Sequence, residues 1–259
     1  MDRRKFINCL VSATAGSTAA IPTLGAQTEA ASRSRGLRVV CVGAHPDDPE
    51  SGCGGTLRLY AEQGCKVTVV YLTRGEAGIR GRSATEAATT RSAECEAACQ
   101  VLGVEHTFAG QIDGATEITP ERASDFAKLL IKLTPDVVLA HWPLDAHADH
   151  AIAGNLALRA CLSQLPETSL YFFEVYTGRQ TLNFHPTDYV DIHSSREIKK
   201  RATFAHASQN PAEWYPHHEK MEQFRGAEAG VSFAEGFVRL AHLGKGVVSR
   251  LLPPVRNCG

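Results

Sequence analysis

The sequence lacks the features that would place it in several large classes. It has no stretch of about 18 uninterrupted apolar residues, so it offers no transmembrane helix. Its formal net charge is −1, which gives no electrostatic case for a nucleic-acid partner. Its eight cysteines (9, 41, 53, 65, 95, 99, 161 and 258) include no Cys-x-x-Cys pair, which argues against a structural zinc knuckle. Cys95 and Cys99 stand four apart on an expected helix, a poor geometry for a disulfide, and most of the cysteines read as small buried hydrophobes. No Gly-x-Ser-x-Gly elbow occurs, so a serine hydrolase has little support.

What is present begins at the N-terminus. "MDRRKFINCLVSATAGSTAAIPTLGAQ" carries Arg3 and Arg4, an apolar pair at Phe6 and Ile7, and a small-residue tail through Leu24, Gly25 and Ala26. Residues 1–26 read as a twin-arginine signal, which implies export to a periplasmic or extracellular compartment. Its loss removes Asp2, Arg3, Arg4 and Lys5 and shifts the net charge from −1 to −3. Seven cysteines remain, which sits awkwardly with an oxidising compartment unless the chain is exported already folded. Residues 27–36 read as a flexible lead-in, and 37–259 as one domain.

Within that domain, Val-rich runs of buried-strand type alternate with helical patterns. Strands are expected at 37–44, 66–73, 106–110, 136–142, 169–176 and 189–193. Helices are expected at 54–64, 86–103, 119–133, 148–165 and 194–209; Thr119 supplies a cap and Pro120 a first helical position. The alternation implies βαβ units: an α/β, doubly wound, Rossmann-like and mostly parallel sheet with helices on both faces.

Such sheets bind ligands beyond the carboxyl ends of their strands, where strand order reverses. In the order 3-2-1-4-5, strands 1 and 4 are neighbours there. "HPDDPE" leaves strand 1 and "WPLDAHADH" leaves strand 4, so His45, Asp47, Asp48, Asp145, His147, Asp149 and His150 converge on one crevice. Two imidazoles and a carboxylate with one open position make a catalytic zinc site, and the remaining groups suffice for proton transfer and oxyanion stabilisation. Gly52, Gly54 and Gly55 do not match the spacing of a dinucleotide-binding turn, and the neighbouring carboxylates would repel phosphate. They read instead as allowing close helix–sheet packing.

"AHPDDPE", "LTRGEAG", "RSAECEAACQVLG" and "HADH" together resemble the PIG-L (LmbE-like) family of zinc-dependent N-deacetylases. "DIHSSREIKKRATFAHASQ", "FRGAEAG" and "AEGF" resemble the branch that deacetylates N-acetylglucosaminyl-malate in bacillithiol synthesis. The resemblance implies a hydrolase that removes acetyl from an N-acetylglucosamine-type sugar or conjugate. It implies His45, Asp48 and His150 as zinc ligands, with Fe2+ a second candidate in the cell. It implies Asp47 as general base, His147 as oxyanion stabiliser or proton donor, and Asp149 as the residue that orients His147. Arg74 and Asp113 match sugar-contacting positions, and Glu76 a loop brace. The implied partner is a small amino-sugar substrate, with room for a homo-oligomer. Export sets the chain apart from a cytosolic bacillithiol enzyme. Two further readings stand beside this one: a non-catalytic sugar-binding protein on the same fold, and another metal hydrolase such as a phosphoesterase. "YPHHEK" reads as an exposed loop, and His193 and His206 as structural.

Overall fold

The structure, a computed structural model, describes residues 36–241. The arginine pair, the signal and lead-in up to Arg35, and Cys9 and Cys258 lie outside the described residues. The first half alternates as expected: β1 (Arg38–Gly43), α1 (Asp48–Glu62), β2 (Lys66–Tyr71), α2 (Ala84–Leu102), β3 (Glu105–Phe108), α3 (Pro120–Leu133), β4 (Val137–His141), α4 (Ala148–Gln164) and β5 (Ser169–Phe173). Then come β6 (Asp188–Asp191), α5 (Arg196–Phe204), a 3-10 turn (Ala207–Gln209), α6 (Pro211–Ala229) and β7 (Ala234–Arg239). The sheet order is β3-β2-β1-β4-β5-β7-β6. Strands β1 to β5 pair in parallel, and β7 pairs antiparallel with both β5 and β6.

Strand residues point to alternate faces, and here both faces are covered. Val39, Cys41, Val69 and Leu139 join the core under α1, α2 and α5. Val40, Val42, Val70 and Val138 join the core under α3 and α4. Thr119 caps α3 by accepting from the Arg122 N–H at 3.1 Å, with Pro120 opening the helix as expected. The adjacency of β1 and β4, inferred from topology rules alone, is observed.

Three segments differ from expectation. Helix α1 starts at Asp48 rather than Gly54, with non-helical backbone at Cys53. Its glycines are helical, and a Cβ on Gly52 would stand 2.6 Å from the Phe173 ring and one on Gly55 2.6 Å from Ile192. Close packing is therefore what they permit. The helix expected at 194–209 stops at Phe204 and continues as the short 3-10 turn. "YPHHEK" is helical: it lies in α6, where Pro216 is tolerated and Tyr215, His218, Glu222 and Arg225 are buried. Those positions recur at three- and four-residue steps, the period of one helix face, but three of the four are charged or polar, which hid the pattern.

Candidate active site and metal centre

The carboxyl ends of β1 and β4 deliver the two histidine–aspartate loops to one point. Pro46 and the following residues turn the chain out of β1, and Asp47 takes a positive φ of 111° before α1 begins. That conformation costs an L-residue free energy and persists only where neighbours impose it. Two groups do so. The buried Glu50 carboxylate accepts the Asp47 N–H at 3.1 Å, and itself receives the Tyr71 hydroxyl at 2.5 Å and faces His206 Nε2 at 3.5 Å. On the other side the buried Arg91 guanidinium donates to the Pro46 carbonyl and stands 3.3 Å from Asp47 Oδ2.

The Asp48 carboxylate is the centre of the cluster. Its oxygens stand 3.2 Å from His45 Nδ1, 3.2 Å from His150 Nε2 and 3.3 Å from His141 Nε2. Burial alone would raise the Asp48 pKa, but His150 and His141 outweigh it and hold the group well below the usual carboxylate range. Burial likewise works against the charged forms of His45 and His150. Asp113, Asp149 and Asp48 nevertheless raise His45 well above its usual value, and Asp48 and Asp145 raise His150 to about 9. His147 goes the other way: burial, with His150 and His45 beside it, keeps it low and neutral. Burial raises Asp47 against the pull of Arg91, which favours proton uptake by a base.

Of the residues singled out from sequence, the structure brings eight together: His45, Asp47, Asp48, Asp113, Asp145, His147, Asp149 and His150. Asp113 Oδ1 and Asp149 Oδ2 each stand 3.1 Å from His45 Nε2. Asp149 was expected to orient His147. Its partners are instead His45, the Gly114 N–H at 2.8 Å and the Thr116 hydroxyl at 2.6 Å, because the chain after β3 folds over it. Arg74 is not brought to the site: it is exposed, with its guanidinium 5.2 Å from the centre of the Phe108 ring. Glu76 does brace its loop, accepting the Arg74 and Asp113 N–H groups.

Sequence reasoning passed over four contributors. His141 ends β4, stacks on His150 at 4.3 Å and is fully buried. A histidine at the last position of an apolar strand was the available signal. Arg91 and Glu50 read as ordinary helix residues, and His206, taken as structural, reaches Glu50. Asp145, already expected in the crevice, stands behind His150, 3.4 Å from its Nδ1, and is held by the Thr181 hydroxyl at 3.0 Å.

The donor set fits a divalent metal. Donor atoms of His45, His147 and His150 lie within 4.8 Å of one another, as do those of Asp48, His141 and His150. Nδ1 of His141 and Nδ1 of His147 are buried without a hydrogen bond in the protein. Five aspartates face the cluster, with Arg91 the buried guanidinium beside them; a dication would offset that negative surplus. The cavity above, about 710 Å3, is lined by His45, Asp47, His147, Tyr176, Arg179 and Trp214 among others. It has the size of a small-ligand site, and its aromatic edge suits a sugar ring.

Known proteins resemble this chain over most of its length. The family model described as PIG-L, GlcNAc-PI de-N-acetylase, matches residues 40–161. Diacetylchitobiose deacetylase of Thermococcus kodakarensis is 30% identical over 218 residues, covering 77% of this chain and 81% of the relative. A probable N-acetyl-α-D-glucosaminyl L-malate deacetylase 2 of Bacillus cereus is 26% identical, covering 71% and 89%. Among solved structures, N,N'-diacetylchitobiose deacetylase from Pyrococcus horikoshii, complexed with an inhibitor, superposes with a TM-score of 0.71 at 27% identity, covering 85% and 94%.

Proposed function

Because the chain belongs to the PIG-L family, we propose that it is a metal-dependent hydrolase that removes the acetyl group from an N-acetylglucosamine-type sugar or conjugate. The observation that carries this reading is the convergence of Asp47, held by Arg91 and Glu50, with Asp48, its neighbours His45 and His150, and His147 in one sugar-sized cavity. His45, Asp48 and His150 would hold the ion, with His141 and Asp145 packed behind them. A zinc ion bound there supplies Lewis-acid polarisation of the acetamide carbonyl and acidifies water; ferrous iron suits the same donors.

The protein's own groups carry the remaining steps. Asp47 accepts the proton of the attacking water and returns it to the departing amine. Neutral His147 donates a hydrogen bond to the oxygen that becomes negative as the carbonyl turns tetrahedral. Arg91 keeps Asp47 aimed and ionised. Asp113 and Asp149 fix the His45 ring. Trp214 and Tyr176 give the sugar an aromatic wall, and Asp113, at the cavity edge, is placed to accept from a sugar hydroxyl. A twin-arginine export route, read from residues 1–26, would set the reaction outside the cytoplasm.

A screen for acetate and free amine across N-acetylated mono- and disaccharides, with zinc-loaded protein, tests the reading. Acetate and amine in equal amounts support it. Saturable sugar binding with no acetate release would favour the sugar-binding alternative, and phosphate-ester turnover without amide turnover the phosphoesterase.

A further inference from the structure

We propose that Cys95, Cys99 and His106 form a second metal site, for a thiophilic dication of the zinc type, at the β3 edge of the sheet. Helix α2 sets Cys95 and Cys99 one turn apart on its sheet-facing side, and β3, the edge strand, carries His106 beside them. The two Sγ atoms and a ring nitrogen lie within 4.8 Å of one another. Tetrahedral zinc, with sulfur at about 2.3 Å and nitrogen at about 2.0–2.1 Å, needs ligand atoms roughly 3.5–3.8 Å apart. Side-chain rotation by about an ångström closes that gap.

The donor chemistry differs from that of the active centre. Two thiols and an imidazole, with no carboxylate in the set, favour a soft or borderline cation over magnesium, calcium or manganese. The pair cannot be explained as a disulfide, because i and i+4 helical positions hold the sulfurs poorly for that bond. The sulfurs are sealed from water, Cys95 at 0% and Cys99 at 2% exposure, while half-buried His106 opens a route from the sheet edge. Tyr71 Oη stands 3.5 Å from Cys99 Sγ and donates onward to Glu50, giving the site an outer layer of its own. Without metal, the hydrogen bond with Cys99 and burial keep the Cys95 thiol protonated. Binding one dication therefore releases two thiol protons and leaves the buried group neutral, with water as a fourth ligand.

Metal-free full-length protein titrated with Cd2+ tests this. Wild type should show thiolate-to-cadmium charge-transfer absorption saturating at one equivalent, and two cadmium ions per chain by elemental analysis. The Cys95→Ser/Cys99→Ser variant should lose the absorption and keep one ion. The His150→Ala variant should keep the absorption and lose the other ion. His106→Gln, a change at the half-buried edge, should weaken the thiolate-linked cadmium affinity by more than about tenfold with unchanged circular dichroism, which preserves the test if the cysteine variant does not fold. The proposal is overturned by the absence of thiolate absorption in wild type, by its persistence in the cysteine variant, or by unchanged affinity in His106→Gln.

Discussion

Replacing Arg91 by Gln should destabilise the protein chiefly through its charged partner, Asp47. Arg91 is 2% exposed, and its guanidinium stands 3.3 Å from Asp47 Oδ2. At that distance and an effective dielectric of 20 the Coulomb attraction is about 5 kcal/mol before desolvation is subtracted. Removing one member of a buried pair costs about 3–5 kcal/mol, because the survivor stays charged and unpaired. The Asp47 side chain is 18% exposed, so water relieves part of that penalty and the lower end, about 3 kcal/mol, applies. For a domain of this size that is a fall in Tm of roughly 6–12 °C. The assay is urea unfolding of four metal-free proteins: wild type, Arg91→Gln, Asp47→Asn and the double variant. The coupling energy should reach about 1.5–3 kcal/mol. Additive costs, with a coupling near zero, would refute the idea that Arg91 holds the aspartate in its left-handed conformation.

Four further outcomes follow from the same geometry. Asp47→Asn should retain zinc by elemental analysis while kcat falls by about 10²–10⁴, the range of general-base contributions; near-normal turnover removes Asp47 from that role. His150→Ala should lose the active-centre metal together with activity, and full metal retention in that variant contradicts its assignment as a ligand. Gly55→Ala should cost about 1–3 kcal/mol in chemical denaturation, because the new Cβ meets Ile192 at 2.6 Å and the Glu235 carboxylate at 3.1 Å. Burial, aided by Lys199, pulls His218 down to about 3, so the unfolded chain takes up its proton first as pH falls from about 6.5. Stability should therefore drop by up to about 4 kcal/mol between pH 6.5 and 3, more steeply than in His218→Gln; parallel pH profiles of the two would contradict this.

Much of the fold was legible because buried parallel strands leave an unmistakable mark. "RVVCVG" and "VVLAH" are short, apolar and β-branched, and topology rules then place them side by side. The two loops that leave them hold every residue expected at the metal centre, and the structure brings those residues to one point. What stayed hidden depends on contacts distant in sequence. Arg91 sits on an Ala-rich helix and reaches Asp47 44 positions away. His141 looks like a strand residue until His150 stacks on it. Asp149 was paired with the wrong histidine because the approach of Gly114 and Thr116 is set by the chain after β3. Helix α6 was missed because its buried face is built of His218, Glu222 and Arg225, satisfied by partners such as Arg196 and Glu174 on other elements. The antiparallel return of β7 between β5 and β6 leaves no local sequence signature.

Acetate release from N,N'-diacetylchitobiose and from N-acetylglucosamine by the zinc-loaded protein tests the central claim most directly, with Asp47→Asn of equal metal content beside it. The account predicts one free amine per acetate in the wild type and at least a hundredfold less of both in the variant. Equal release by the two proteins, or none from any N-acetylated sugar by fully loaded wild type, would contradict it.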